Sequence, residues 1–269
     1  MSQDLSGEIH FFDKFLEGSC WDYHKQAYFN LKNPATRERE FPKLLKPYLE
    51  PKRPIKLLEI GCGGCSNLAW GVDQGLFEIT ATDPAGDKYA EQLLKYNFAY
   101  PIIPIKMAAE DLPKHYPEGT FDIIYARNSL DHTTDPRLCI SNAVKVLKKG
   151  GILFIEGFVK EGTYTNWKGL HQFDFYVEGN DLVCNTKEGK KINLTEGLAI
   201  EKVMSSNLSS IKEPPEEEKY TIVFRKKSEL LKNLHKGKRC FILGNGPSLT
   251  QLDLSLLKKE ITFGCNHIY

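Results

Sequence analysis

The feature that most constrains this chain is an apolar run, IKLLEI at residues 55–60, that feeds straight into the glycine-rich turn GCGGC at 61–65. A short, nearly continuous apolar segment suits a strand covered on both faces, as in a parallel sheet. Glycines at its end let the backbone turn sharply and approach a ligand at the start of the next helix. The pattern then repeats. SNLAWGVDQG (66–75) reads as a helix starting near Ser66 or Asn67, and FEITATD (77–83) as a second strand. DKYAEQLLKYN (87–97) reads as a helix, PIIPIKMAAEDLP (101–113) as a third strand and turn, and FDIIYARN (121–128) as a fourth strand. Asp135-Pro136 pairs an acidic N-cap with proline at the first helical position, opening a helix DPRLCISNAVKVLKKGG whose lysines fall in its last turn. GILFIEGF (151–158) is a fifth strand.

Such alternation predicts an α/β fold: an open, mostly parallel sheet with helices on both faces and right-handed crossovers. Residues 174–194, with EGND and KEGK turn signals, predict a hairpin. LAIEKVMSSN (198–207) and KYTIVFRKK (219–227) predict two further strands. The intervening acidic run, Glu216–Glu218, reads as a solvated loop. Residues 1–50 predict an aromatic-rich N-terminal helical cap with Phe11, Phe12, Phe15, Trp21, Tyr23 and Tyr28, which could also serve as a lid. The main domain is expected over 51–227. Residues 228–269 read as strand, glycine-rich turn, helix and strand: a short β-α-β appendage, expected to be the start of a second α/β domain that binds a nucleotide or phosphate.

Composition narrows the function classes. The chain has 269 residues, 41% hydrophobic and 26% charged, with net charge +1. That is ordinary for a globular enzyme, and no basic block advertises nucleic acid. Seven scattered cysteines read as reduced thiols, the N-terminus lacks signal-peptide character, and no apolar stretch reaches spanning length, so a cytoplasmic location is expected. Cys62 and Cys65 spell C-x-x-C but have no second pair, so no metal site is expected.

Asp83 stands twenty-two residues after Gly61 at the end of the second strand, where a carboxylate can accept both hydroxyls of an adenosine ribose. Ser66 occupies the third position of G-x-G-x-x-G, which weakens a nicotinamide reading. In order along residues 55–157, LLEIGCGG, TATDP, MAAEDLP, FDIIYARNSLDH and VLKKGGILFIE resemble the motifs of class I S-adenosylmethionine-dependent methyltransferases of the small-molecule type. That resemblance implies a Rossmann-like seven-stranded sheet with antiparallel closing strands, and S-adenosylmethionine as cofactor. It further implies that Glu59, Gly61 and Gly63 line the methionine part, that Asp83 holds the ribose, and that Ala109, Glu110 and Asp111 border the adenine. Arg127 and Asn128 would floor the pocket, with Cys62 and Pro84 also among the cofactor-binding positions. The chain departs from the family at Cys65, often glycine there, and at Ala108, often aspartate, for which Glu110 or Asp111 could substitute.

A hydroxyl nucleophile needs its proton removed. His132 and Asp131, just past the fourth strand, and His171, after the fifth, are the catalytic candidates, and Trp167, Phe173 and Phe175 are expected to shape the acceptor site. FILGNGPSL, with Gly244, Asn245, Gly246 and Ser248 as a phosphate cradle, resembles the opening of the 6-hydroxymethylpterin pyrophosphokinase-like and motility-accessory-factor family. That likeness implies a small hydroxylated acceptor, a carbohydrate of surface-glycan synthesis. The alternatives are a non-catalytic S-adenosylmethionine- or partner-binding module and an NAD(P)-dependent oxidoreductase.

Overall fold

The computed structural model describes residues 4–17, 54–66, 68–98, 100–209, 218–228, 237–243, 253–258 and 260–264. It divides into two units, Met1–Lys227 and Ser228–Tyr269. The first holds helix α1 (Ser6–Glu17), then β1 (Ile55–Ile60), α2 (Ala69–Asp73), β2 (Phe77–Asp83), α3 (Gly86–Lys95) and β3 (Ile105–Lys106). A 3₁₀ turn, Ala109–Asp111, leads to α4 (Leu112–His115) and β4 (Phe121–Arg127). After the 3₁₀ turn Leu130–His132 come α5 (Pro136–Val146), β5 (Leu147–Phe158) and α6 (Glu161–Tyr164). The strands β6 (Phe173–Glu178), β7 (Asp181–Thr186), β8 (Lys191–Asn193), β9 (Ile200–Ser209) and β10 (Glu218–Lys226) complete it.

Seven strands form the central sheet in the order β3-β2-β1-β4-β5-β10-β9. The first five are parallel, and β10 runs antiparallel to both β5 and β9. The chain builds outward from β1 in one direction through β3, then crosses back to β4. The ends of β1 and β4 therefore flank the point where strand order reverses, which is where open α/β sheets leave a crevice for ligand.

Why the apolar runs are nearly continuous is visible in two cores, one on each face of the sheet. Leu58, Ile60, Ile124, Ala126, Leu153, Ile155, Ile222 and Phe224 pack against Ile140, Ala143 and Val144 of α5. The alternate residues Ile55, Leu57, Ile123, Tyr125, Ile152, Phe154 and Val223 pack with Leu68 and Phe77. Each fully buried aliphatic side chain contributes about 1.5–3 kcal/mol, so a polar residue on either face of β1 or β4 is disfavoured.

Local expectations hold in part. Asp135 caps α5, its Oδ1 accepting from Leu138 N at 2.9 Å, with Pro136 next. Asp135→Ala should therefore cost about 1 kcal/mol of stability, read as a lower denaturant midpoint with an unchanged slope. The helix ends at Val146, earlier than expected, and Lys148, Lys149 and Gly150 belong to β5. The cause is local. Lys148 Nζ pairs with Asp122 at 2.8 Å, and a side chain on Gly151 would meet the Asp122 carbonyl at 2.8 Å, so the chain is drawn onto β4. The expected hairpin at 174–194 gains a third strand and forms a separate antiparallel sheet, β6-β7-β8. The third strand of the main sheet shrinks to two residues, and Glu218 opens β10 rather than closing a loop.

Of the expected N-terminal cap, only the part up to Glu17 is described, and residues 18–53 lie outside it. Helix α1 docks on α3. Phe12 meets Tyr89 edge-on at 5.0 Å, Gln92 Nε2 donates to the Ile9 carbonyl at 2.9 Å, and Lys95 pairs with Asp13 at 2.9 Å.

The second unit contains β11 (Cys240–Leu243) and β12 (Ile261–Gly264) as a parallel pair, with a 3₁₀ turn at Leu254–Leu257 between them. The glycine-rich turn with Gly244, Asn245, Gly246 and Ser248 lies outside the described residues. No helix among the described residues is long and apolar enough to cross a membrane.

Candidate active site

The carboxyl ends of β1, β2 and β4 are tied together by backbone. Gly61 N and Cys62 N donate to the Thr82 carbonyl at 2.8 and 3.1 Å, and Ser129 Oγ donates to the Ile60 carbonyl at 3.0 Å. Gly61 and Gly63 both take positive φ, 63° and 59°. Gly63 N donates to Asp83 Oδ2 at 3.1 Å and Ala85 N to Oδ1 at 2.9 Å, so the carboxylate is pinned at the tip of β2. Burial pushes the Asp83 carboxyl above its usual range, while the two backbone N–H groups pull it back.

A cavity of about 550 Å³ opens over this turn. Gly61, Gly63, Asp83, Pro84, Ala109, Glu110, Asp111, Asn128 and His132 all line it. These are nine of the expected positions brought to one wall. Three others stand elsewhere. Glu59 is buried within β1, Cys62 is buried behind the turn, and Arg127 points to Glu156, 3.5 Å away, rather than into the cleft. Glu110 is partly committed: its Oε1 accepts from Thr134 Oγ1 at 2.8 Å and from Thr134 N at 3.1 Å. Burial raises the Glu110 carboxyl, but these hydrogen bonds outweigh it and hold it low. Asp111 pairs with Lys114 at 2.6 Å at the cleft edge.

Burial drives the Cys62 thiol well above its ordinary range and Cys65 up to about 12.

All three candidate catalytic side chains converge. His171 Nδ1 lies within hydrogen-bond distance of Asp131 Oδ2 at 2.7 Å, and His132 Nε2 lies 3.1 Å from His171 Nδ1 and 3.4 Å from Asp131 Oδ2. The hydrogen bond to Asp131 raises the His171 pKa against the opposing effect of burial. Gln172 N donates to the Asp131 carbonyl at 3.1 Å, which clips the 169–172 loop to the end of β4. Glu161 Oε1 stands 3.7 Å from His171 Nδ1 and accepts from Asn128 Nδ2 at 3.4 Å.

A second cavity, about 710 Å³, shares Glu8, Thr133, Thr134 and Leu170 with the first. Its other walls include Asp4, Ser6, Gln172 and Phe173. Of the expected acceptor residues only Phe173 lines it. Phe175 is a core side chain stacked on Tyr220, and Trp167 packs over Gly162, so both are corrected to structural positions. Sequence reasoning missed Leu5 and the α1 residue Glu8, which bring the N-terminal segment to the cleft wall, and Met107, Ser129 and Leu170. Met107 and Ser129 had a local sign, standing within the MAAEDLP and NSLDH segments.

Residues 58–155 match a family model described as a methyltransferase domain. A ubiquinone biosynthesis O-methyltransferase of Idiomarina loihiensis is 24% identical over 176 residues, covering 57% of this chain and 64% of that protein. A tRNA U34 carboxymethyltransferase of Hydrogenovibrio crunogenus is 30% identical over 125 residues, covering 43% of this chain and 36% of its own. The chain thus spans less than two thirds of the length of these curated relatives. Among solved structures, a 1,6-didemethyltoxoflavin-N1-methyltransferase of Burkholderia thailandensis with bound S-adenosylhomocysteine is 15% identical. It aligns with a TM-score of 0.46 over 77% of this chain and 87% of its own. Residues 58–155 thus match a methyltransferase domain over the stretch whose ordered motifs implied S-adenosylmethionine as cofactor.

The residues present suit that group. A Cβ on Gly61 would fall 2.3 Å from Ser129 Cβ, so the turn is built for bare backbone, and a buried carboxylate faces the same cleft. Its volume lies within the roughly 300–1,000 Å³ of small-molecule sites.

Proposed function

We propose that the protein transfers a methyl group from S-adenosylmethionine to a hydroxyl of a small polar acceptor. The observation that carries this reading is the junction of two cavities at Thr133, Thr134 and Leu170, next to His132, one bearing the cofactor-type turn and the other open to a second molecule. When bound, the cofactor supplies an electrophilic methyl on sulfonium. Asp83 accepts the ribose hydroxyls, Gly61 and Gly63 present backbone to the methionine part, and Met107, Ala108 and Ala109 cover the adenine. Asn128 borders the reacting end. The larger cavity orients the acceptor, since in-line displacement depends heavily on alignment. Asp131, His132 and His171 form the place where the acceptor hydroxyl loses its proton. Helix α1, through Glu8, and Leu5 just before it, close one side of the junction and limit access of water.

The walls of the larger cavity, with Ser6, Thr133, Thr134 and Gln172 beside Phe173, suit an acceptor with several hydroxyls and one apolar face. A carbohydrate is the acceptor class favoured by the likeness of residues 236–269 to pyrophosphokinase-like and motility-accessory domains, and it rests on that likeness alone.

Calorimetry with S-adenosylhomocysteine and, separately, NADH tests the donor. Tight binding of the first and none of the second is expected, and the reverse would return the chain to an oxidoreductase reading. Asp83→Ala should weaken S-adenosylhomocysteine by about 1–3 kcal/mol, roughly 5- to 150-fold. An unchanged dissociation constant would remove Asp83 from the site. Binding with no turnover on hydroxylated aromatics, polyols and sugars would leave a binding module.

A further inference from the structure

Two imidazole nitrogens and a carboxylate oxygen meet beside the donor cleft, which His132 lines. The atoms are His132 Nε2, His171 Nδ1 and Asp131 Oδ2, with separations of 3.1, 2.7 and 3.4 Å. A hydrogen-bonded chain of three groups needs two short links. Here the third side of the triangle is also short, so the atoms surround a common centre instead of lying in line. The spacing is that of ligands on one face of a metal ion. For metal–ligand bonds of about 2.0–2.2 Å, neighbouring ligands of an octahedral ion are about 2.8–3.1 Å apart and those of a tetrahedral ion about 3.3–3.6 Å. Among the described residues this is the one group of three or more His, Cys, Asp or Glu side chains close enough to share an ion.

We infer that Asp131, His132 and His171 bind a divalent transition-metal ion, and that the acceptor is held against it through a pair of neighbouring hydroxyls. The proposal rests on the methyl-transfer reading and supplies its means of activating the hydroxyl. Two imidazoles with one carboxylate select manganese, iron(II), cobalt or zinc over magnesium or calcium, which prefer all-oxygen shells. One facial set leaves coordination positions open. His132 lines the donor cleft, and its neighbour Thr133, like Leu170 next to His171, lines both cavities, so the group sits beside the place where the two molecules meet. Glu161 Oε1, 3.7 Å from His171 Nδ1, stands ready as a further oxygen ligand or as an outer carboxylate holding the imidazole. An acceptor with two adjacent hydroxyls chelates such an ion, and a monohydroxylated one does not. The ion acts as a Lewis acid. The hydroxyl proton leaves to water, the acceptor oxygen forms a bond to the methyl carbon, the carbon–sulfur bond breaks, and S-adenosylhomocysteine departs. The ion keeps its oxidation state.

The test uses the full chain, free of any histidine tag and stripped with a chelator, titrated with cobalt(II) alone. One equivalent should bind with micromolar or tighter affinity and give visible absorption bands of nitrogen-ligated cobalt. His171→Ala and Asp131→Ala should each weaken cobalt binding at least 100-fold. His132→Gln, which keeps the volume, should do the same if the alanine variants fold poorly. Binding by the variants equal to that of the parent, or no cobalt binding by the parent, overturns the ion site. S-adenosylhomocysteine calorimetry on the same stripped protein reads the donor cleft separately, so its failure would sink methyl transfer and not be confused with failure of the ion.

Discussion

Replacing His132 with alanine should lower kcat by about 100- to 10,000-fold, the range spanned by loss of a group that helps remove the acceptor's proton. Two observations make this the largest catalytic effect expected from a single side chain. His132 is the member of the Asp131–His132–His171 group that lines the donor cleft, so it stands closest to where the acceptor oxygen must meet the methyl carbon. Its Nε2 is also one corner of the triangle, and removing it leaves the other two atoms without their shared geometry. Asp131→Ala and His171→Ala should fall in the same range, and the double variant His132→Ala/His171→Ala should be little worse than either single one. Groups that act as a unit lose their effect once, not twice. The measurement is S-adenosylhomocysteine release on a vicinal diol or catechol acceptor, beside calorimetry of the donor. Donor affinity is read separately by that calorimetry and should fall far less than turnover. Turnover within threefold of the parent would place the proton elsewhere. Strictly additive losses would break the three into independent residues.

Much of the frame was legible in the sequence because its strands are buried on both sides. A parallel strand covered by helices has no polar face to disguise it, so the apolar runs of β1, β4 and β5 stand out. The turn glycines and Asp83 were legible for a related reason: they sit at fixed places along one β-α-β unit. What the sequence hid lies at longer range. His171 is thirty-nine residues from His132, and the clip from Gln172 N to the Asp131 carbonyl, with the contact of His171 to Asp131, brings them together. Nothing in the spacing of NSLDH and GLHQ signals a shared centre. Phe175 and Phe173 sit two apart on one strand and look alike, yet one stacks on Tyr220 in the core while the other reaches the cavity. The depth of their surroundings decides that, not their own chemistry. The contribution of α1 was hidden in the same way, since Glu8 has no feature that marks it until the helix docks on α3. The early end of α5 was misread because KKGG is a good helix stop, whereas Lys148 finds Asp122 and the chain enters the sheet instead.

The largest expected effect on the fold of the site comes from Gly61→Ala. Two separate costs meet there. Its φ is 63°, a conformation that costs a non-glycine residue about 1–2 kcal/mol. The added methyl would also stand 2.3 Å from Ser129 Cβ and 2.7 Å from its Oγ, far inside contact distance. Ser129 cannot simply rotate away, because its Cβ is fixed by the backbone and its hydroxyl holds the Ile60 carbonyl at 3.0 Å. Overpacking of this kind typically costs about 1–3 kcal/mol. The sum should lower the denaturation midpoint clearly and weaken S-adenosylhomocysteine by about 30- to 1,000-fold, since the strain falls on the turn that cradles it. The two costs can be pulled apart. In a Ser129→Gly background the methyl would find its next neighbour, the residue-129 Cα, at 3.6 Å, an ordinary contact. Gly61→Ala should therefore be far milder there, leaving only the backbone cost, so the pair should show a coupling of about 1–3 kcal/mol. Ser129→Gly alone gives up the bond to Ile60 and should be modestly destabilising. If Gly61→Ala is equally damaging with and without Ser129, the close approach of β1 and β4 at the switch point is not what shapes the turn, and backbone conformation alone would account for the glycine.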